Sequence, residues 1–341
     1  MDAPVTVALA LGSGGARGYA HIGVIDVLTE RGFDVAVVAG SSMGALVGGL
    51  YAAGRLDPFT EWVRGLTRFD VLRMLDASLS APGVIRAEKV IGRVREIVDG
   101  ALIEDLSVPF TATATDLWAR REVWIQRGPL DVAVRASIAI PGVFTPVVSD
   151  GRLLVDGGLM NPVPIAPTTA VPTDATIAVD LVGPPSSRVG GASVARGAAG
   201  GPVDEWVERF RRSTSQLLDR EAVRALRDGT DRGPVVVDDA EPDEPAAAVG
   251  STGSVAVAGR RRDVAEDAFP AGLGKFDVMN EALATMQAIV AGFRRAASPP
   301  DVLITIPSDA CGSLEFHRAA EMIDLGRNAT ADALDRAGLT P

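Results

Sequence analysis

The chain has 341 residues, of which 47% are hydrophobic, and this length can bury the core of one large α/β domain or of two smaller domains. Its formal net charge of −11 argues against nucleic acid as a partner, because phosphate binding needs concentrated positive charge. The same charge argues against bulk attraction to anionic lipid, although a local basic or apolar patch can still dock on a membrane.

Two strand–turn–helix units open the chain. The first consists of the apolar run Val5 to Leu11, a glycine-rich turn and a helical pattern over Tyr19 to Glu30. In the second, the apolar run Asp34 to Ala39 leads into another glycine-rich turn and a small-residue helix, Ala45 to Ala53. Two such units in succession predict a parallel sheet with helices on its faces.

Further helical and strand patterns follow in the middle and at the end of the chain. Helices are predicted over Pro58 to Leu66, Ala87 to Val98, Leu130 to Ile138 and Phe276 to Ala296, and at the end of the chain after Ile306. Strands are predicted over Phe110 to Leu117 and Glu122 to Gln126, as a hairpin, and over Leu153 to Val155, Thr176 to Val182 and Val302 to Ile306.

Two segments differ in composition from the rest. Residues 183–202 are rich in Gly, Pro, Ser and Ala, and residues 228–272 mix Gly and Pro with acidic residues. Neither has enough periodic apolar surface to offset the entropy lost on ordering, so both are predicted to be mobile. Between them, Asp204 to Leu226 is predicted to be a charged amphipathic helix.

The N-terminal residues bear on where in the cell the protein is expected. The N-terminus has no positively charged start of a secretory signal, and the run Val5 to Leu11 is far too short to span a bilayer. We therefore expect a soluble, cytoplasmic protein. The alternative is a protein that contacts a membrane peripherally.

The second glycine-rich turn, Gly40-Ser-Ser-Met-Gly44, has the Gly-x-Ser-x-Gly pattern of a nucleophile elbow. In such an elbow the strand turns sharply into a helix, and the serine side chain stands clear of the sheet. Ser42 is therefore the candidate nucleophile. The alternative is a tight strand–helix turn that contains an ordinary serine.

The first glycine-rich turn, Gly12 to Gly18, predicts an anion-binding loop. A dinucleotide fingerprint needs a third glycine where Arg17 stands, and a P-loop needs a Lys-Ser/Thr pair that is missing. What remains is a set of backbone N–H groups at the start of a helix, which suits the oxyanion of an acyl transfer. The alternative is a flexible turn with Arg17 as a solvated charge.

A serine nucleophile needs a base, and histidine, the usual base, is scarce in this chain. The two histidines, His21 and His317, lie inside helical patterns without a catalytic setting, which disfavours a Ser-His-Asp triad. Asp156 follows a short predicted strand and precedes two glycines, so its carboxylate is the other candidate. An Asp-Gly turn residue is an equally good interpretation of that segment. The single cysteine, Cys311, excludes an intramolecular disulfide and a cysteine-rich metal site.

Three of these segments together resemble a known family. Gly12-Ser-Gly-Gly-Ala-Arg-Gly18, Gly40-Ser-Ser-Met-Gly44 and Asp156-Gly-Gly158 resemble, in order and approximate spacing, the motifs of patatin-like phospholipases. The stretches Ala20 to Val24, Ala136 to Phe144 and Gly158 to Pro164 are similar to the bacterial branch akin to the catalytic domain of neuropathy target esterase. The resemblance covers about residues 5 to 182 strongly and 276 to 338 more loosely.

The resemblance implies a fold and a set of catalytic roles. It implies one hydrolase domain over residues 1–341, a three-layer α/β/α sandwich with a mostly parallel central sheet. It implies a Ser–Asp dyad, with Ser42 as nucleophile and Asp156 as general base. The implied oxyanion hole is formed by Gly14, Gly15, Ala16 and Arg17. Ser13 stands where the family usually has glycine, and residues 228–272 look like an insertion.

The implied activity is hydrolysis of phospholipid or lysophospholipid acyl esters, without calcium, another metal or an organic cofactor. An acyltransferase or thioesterase is the alternative within the enzyme class, because another acceptor can capture the same acyl-enzyme. A lipid-binding regulatory module with an idle serine is the alternative outside it.

Overall fold

A computed structural model describes residues 4–74, 88–186 and 275–341 of the chain. The predicted mobile segments 183–202 and 228–272 and the predicted helix Asp204 to Leu226 lie outside these residues, except for 183–186. The described residues 4–74, 88–186 and 280–341 belong to one compact unit. That the whole chain is a single domain stays a prediction.

The secondary structure follows the sequence pattern closely. The described strands are β1 Thr6–Leu11, β2 Asp34–Ser41, β3 Phe110–Asp116, β4 Arg121–Ile125, β5 Val147–Ser149, β6 Arg152–Asp156, β7 Ala175–Gly183 and β8 Val302–Pro307. The described α-helices are α1 Ala20–Glu30, α2 Met43–Ala52, α3 Leu56–Arg64, α4 Arg68–Met74, α5 Glu88–Val98, α6 Leu130–Ser137, α7 Lys275–Ala297 and α8 Ala319–Ala337. The short strand β5 and the short helix α4 are additions to the predicted set.

The described strands form one sheet, in which hydrogen-bonded neighbours follow the path β5-β6-β3-β2-β1-β7-β8 and β4 also pairs with β3. Pairing is parallel from β3 through β2, β1 and β7 to β8. It is antiparallel where β3 meets β4 and β6 and where β5 meets β6. The predicted parallel sheet and the predicted hairpin, formed by β3 and β4, are both confirmed.

Helices cover both faces of this sheet. On one face, the side chain of Leu11 in β1 lies against α2, close to Gly48. The preceding residue, Ala10, points to the other face, since side chains alternate along a strand, and packs there with Ala178 and with Ala291 of α7. The fold is therefore the three-layer α/β/α sandwich that the resemblance implies.

Strands β2 and β6 meet end to end, and this arrangement positions the candidate site. β2 runs parallel to β3 and pairs Ser41 with Thr113. β6 runs antiparallel to β3 and pairs Asp156 with the next residue, Ala114. Both strands lie along the same edge of β3, because β4 is hydrogen-bonded to its other edge over residues 112–116. The carboxyl ends of β2 and β6 therefore face each other one residue apart along β3.

Candidate active site

Ser42 forms a sharp turn between the end of β2 and the start of α2. Its backbone has φ 54° and ψ −120°, a left-handed conformation that is rare for a residue with a Cβ and that marks functional turns. The two flanking glycines allow this turn. A Cβ on Gly40 would lie 2.3 Å from the carbonyl oxygen of Gly44, and one on Gly44 would lie 2.0 Å from the carbonyl oxygen of Leu11.

Two hydrogen bonds hold Ser42 in place. Its Oγ donates to Oδ2 of Asp156 at 2.5 Å, and its backbone N–H donates to Oγ of Ser137 at 2.9 Å. Both Ser42 and Asp156 are buried, with exposed fractions of 3% and 4%. The sequence interpretation missed Ser137, and the only signal for it was its place in the Ala136 to Phe144 stretch.

The Asp156 carboxyl is fixed on both of its oxygens. Oδ2 accepts the Ser42 hydroxyl, and Oδ1 accepts the backbone N–H of Gly158 at 2.7 Å. Burial raises the pKa of Asp156 from 3.8 to about 6, while the hydrogen bonds from Ser42 and Gly158 act in the opposite direction. A carboxylate with this pKa is ionised at neutral pH and is more basic than a solvated aspartate, as a general base should be.

The glycine-rich loop after β1 approaches Ser42 with its backbone. The N–H groups of Gly12 and Ser13 donate to carbonyl oxygens of Val179 and Pro162, at 3.0 and 2.8 Å. Within the described residues, no hydrogen bond uses the N–H of Gly14 or Gly15, and Gly15 lines a cavity together with Ser42. Gly15 has φ 57°, and a Cβ there would lie 2.5 Å from the carbonyl oxygen of Ser313, so this position requires glycine.

Ala16 and Arg17, which were predicted to belong to the oxyanion hole, are engaged elsewhere. The N–H of Ala16 donates to the carbonyl oxygen of Ser313 at 2.9 Å. The Arg17 guanidinium is buried and donates to carbonyl oxygens of Leu181, Ser308 and Cys311, at 3.0, 2.9 and 2.9 Å. Arg17 therefore ties the loop to β7 and to the segment after β8, and the oxyanion hole formed by Gly14, Gly15, Ala16 and Arg17 stays a prediction.

Neither histidine forms a hydrogen bond with Ser42 or Asp156. The ring of His21 is buried, and its Nε2 lies 2.8 Å from the carbonyl oxygen of Gly12. Burial lowers the pKa of His21 to about 4, so its ring is neutral at physiological pH. Nε2 of His317 accepts a hydrogen bond from Arg68 near the surface, at 3.0 Å. These positions agree with the sequence argument against a histidine base.

An apolar cavity opens beside Ser42. Its lining comes from the glycine-rich loop, from helices α2–α5, from the segment after α6 and from the segment before α8. It includes the side chains Tyr19, Met43, Leu46, Phe59, Trp62, Leu66, Val71, Met74, Val90, Ile138, Ile140, Phe144 and Phe316. A cavity with this lining can hold a hydrocarbon chain, because most of the side chains around it are apolar.

The described residues contain neither a metal site nor a membrane-spanning helix. No group of three or more His, Cys, Asp or Glu side chains among them could hold a metal ion. None of the helices in the described ranges is long and apolar enough to cross a membrane.

Comparison with known proteins places these features in a family context. A family model described as patatin-like phospholipase matches residues 9–169. An uncharacterized NTE family protein of Mycobacterium tuberculosis is 49% identical over 338 residues, which cover 96% of this chain and 91% of that protein.

Two longer eukaryotic relatives match about half of the chain. The lysophospholipase NTE1 of Mycosarcoma maydis is 35% identical over 182 residues, or 52% of this chain and 10% of its own length. Patatin-like phospholipase domain-containing protein 6 of Homo sapiens is 34% identical over 184 residues, or 52% of this chain and 13% of its own length.

Proposed function

The chain belongs to the patatin-like phospholipase family, and from this premise we propose that it is a serine hydrolase that cleaves acyl esters of phospholipids or lysophospholipids through a Ser42–Asp156 dyad. The observation that carries the proposal is the 2.5 Å hydrogen bond from Ser42, which lines an apolar cavity, to a buried carboxylate. The name of the NTE1 relative, a lysophospholipase, supports a lipid substrate.

Acylation begins when Oγ of Ser42 attacks the ester carbonyl carbon. The hydroxyl proton passes to Oδ2 of Asp156, with which it is already hydrogen-bonded. The carbonyl oxygen becomes an oxyanion, and the N–H groups of Gly14 and Gly15 and the N-terminus of α2 stabilise it. When the intermediate collapses, the ester C–O bond breaks, the leaving alcohol takes the proton from Asp156, and the acyl group remains on Ser42.

Deacylation repeats these steps with water as the nucleophile. Asp156 accepts a proton from water, whose oxygen attacks the acyl carbon, and the same backbone donors stabilise the second oxyanion. The bond to Ser42 then breaks, Oγ recovers its proton and the fatty acid leaves. The apolar cavity holds the acyl chain through both steps, so the reacting carbon stays next to Ser42.

The proposal predicts release of free fatty acid from a single-chain phospholipid. We expect the purified protein to convert palmitoyl lysophosphatidylcholine into palmitate and glycerophosphocholine in equal amounts, without added calcium and in the presence of a chelator. Mass spectrometry of both products checks the stoichiometry, and Ser42→Ala is the matched control.

Other products would change the assignment. With glycerol or a second lysophospholipid added as acceptor, a new acyl ester formed in place of free palmitate would identify an acyltransferase. Absence of turnover with this lipid, with a p-nitrophenyl ester and with an acyl thioester would contradict the hydrolase proposal and favour a lipid-binding module.

A further inference from the structure

The side chain of Ser13 is a buried polar group without a partner. Its exposed fraction is 4%, and its hydroxyl has no hydrogen bond within the described residues. Its backbone N–H already donates to the carbonyl oxygen of Pro162, so the main chain fixes the residue and leaves the hydroxyl unused. A buried hydroxyl without a partner loses its bonds to water without replacement, and such groups often mark a functional contact.

The hydroxyl of Ser13 lies beside the carboxylate of Asp156. The point at which a Cβ of Gly158 would stand is 2.5 Å from Oγ of Ser13 and 2.9 Å from Oδ1 of Asp156. Both oxygens therefore border the small space that glycine leaves empty. Oδ1 is the oxygen not bonded to Ser42, and the N–H of Gly158 is its hydrogen-bond donor.

We propose that Ser13 is a positioning residue: its hydroxyl turns to donate a hydrogen bond to Oδ1 of the ionised Asp156, or reaches that oxygen through one water molecule. An ionised carboxylate accepts about four hydrogen bonds, so Oδ1 has room for a second donor beside Gly158. A second donor keeps the carboxylate ionised and keeps Oδ2 directed at Ser42. The inference rests on the proposed function, because it requires Asp156 to act as a base.

The surroundings of Asp156 allow the effect of this hydrogen bond on the pKa of the carboxyl to be measured. The groups bonded to Asp156 are the Ser42 hydroxyl, the Gly158 N–H, the Thr115 hydroxyl on its carbonyl oxygen and the Ala139 carbonyl on its N–H. All of these groups are neutral. No charged side chain acts on the Asp156 carboxyl among the described residues, so the loss of one donor is not masked by a neighbouring charge.

The direction of the effect follows from the role of the base. A hydrogen bond donated to the ionised carboxylate lowers its pKa, so removing the Ser13 hydroxyl raises that pKa. Because acylation needs the ionised form, the acidic limb of the rate profile moves to higher pH. We expect Ser13→Ala to move this limb up by about one pH unit, which is roughly a tenfold loss of kcat/KM at pH 5 and little change at pH 8.

The chain offers a matched control in Ser41. Its hydroxyl is also buried and has no hydrogen-bond partner within the described residues, and it is adjacent in sequence to Ser42. Ser41→Ala therefore removes the same group from the same region, and no hydrogen bond joins Ser41 to the Asp156 carboxyl. Neither Ser13 nor Ser41 has a positive φ, so alanine introduces no backbone strain at either position.

The test is the pH dependence of kcat/KM for a soluble p-nitrophenyl ester, from pH 5 to pH 9, in wild type, Ser13→Ala and Ser41→Ala. We expect only Ser13→Ala to shift the acidic limb upward, with an unfolding temperature that shows an intact fold. An unshifted limb, a downward shift, or an equal loss of rate at every pH overturns the inference and leaves the dyad standing. Full activity of Asp156→Asn in the same assay removes the proposed function itself, and the inference with it.

Discussion

Ser42→Ala is expected to lower ester hydrolysis by at least about a thousandfold, because the attacking oxygen is removed and only the oxyanion donors and the acyl cavity remain. The change leaves the fold intact. Alanine adopts the positive φ of this turn no more easily than serine does, and the backbone N–H can still donate to Ser137. Initial rates with a p-nitrophenyl ester and with a lysophospholipid, together with circular dichroism, measure both effects.

A second substitution at the same position separates catalysis from stability. Ser42→Gly also removes the nucleophile, but glycine adopts φ 54° without steric cost. We therefore expect Ser42→Gly to be as inactive as Ser42→Ala and to unfold at a higher temperature. Substantial activity in either variant would show that another group attacks the ester.

Asp156→Asn is the substitution with the second-largest expected effect, a loss of about a hundredfold to ten thousandfold in kcat. The amide has the size of the carboxyl, and its oxygen can still accept the Gly158 N–H, but it cannot take a proton from Ser42.

In wild type, the pKa of about 6 for Asp156 predicts half-maximal activity near pH 6 and a steady fall below it. The pH profile of kcat/KM checks this limb, which the residual activity of Asp156→Asn should lack.

The same pKa predicts the effect of Asp156 on stability. Its folded-state pKa, about 6, lies above the ordinary value of 3.8, so the folded protein binds this proton more tightly than the unfolded chain does. The ionised carboxylate therefore destabilises the fold progressively between about pH 4 and pH 6. Asp156→Asn should for this reason unfold at the same or a higher temperature than wild type at pH 8, and a large decrease would contradict the account.

His317→Gln is the control against a histidine base. The His317 ring contacts Arg68 and has no hydrogen bond with Ser42 or Asp156, so the variant should keep wild-type activity and the wild-type acidic limb. A loss of activity comparable to that of Asp156→Asn would instead favour a triad.

The parts of the site that could be predicted from sequence are those set by local geometry. The turn at Ser42 needs glycine at positions 40 and 44, because a Cβ at either would collide with nearby backbone, and this requirement is visible as a short pattern. The parallel order of β1 and β2 follows in the same way from two strand–turn–helix units.

The parts that local sequence patterns could not predict depend on contacts between distant segments. Asp156 reaches Ser42 because β6 runs antiparallel to β3 and ends opposite β2, and nothing in the residues around Asp156 encodes that pairing. Arg17 and the N–H of Ala16 donate hydrogen bonds to carbonyl oxygens of the segment after β8, which is far away in sequence. Ser137 supports the Ser42 N–H from the end of α6, where its sequence context is that of an ordinary helix.

The most direct test of the central claim, that Ser42 carries the acyl group, is peptide mapping after a fluorophosphonate probe has inactivated the wild-type protein. The account predicts one adduct per chain, on the peptide containing Ser42, formed at the rate at which esterase activity is lost. Labelling should become slower as the pH falls through about 6, where Asp156 takes up its proton. An adduct on another serine, or full esterase activity without any adduct, would contradict the account.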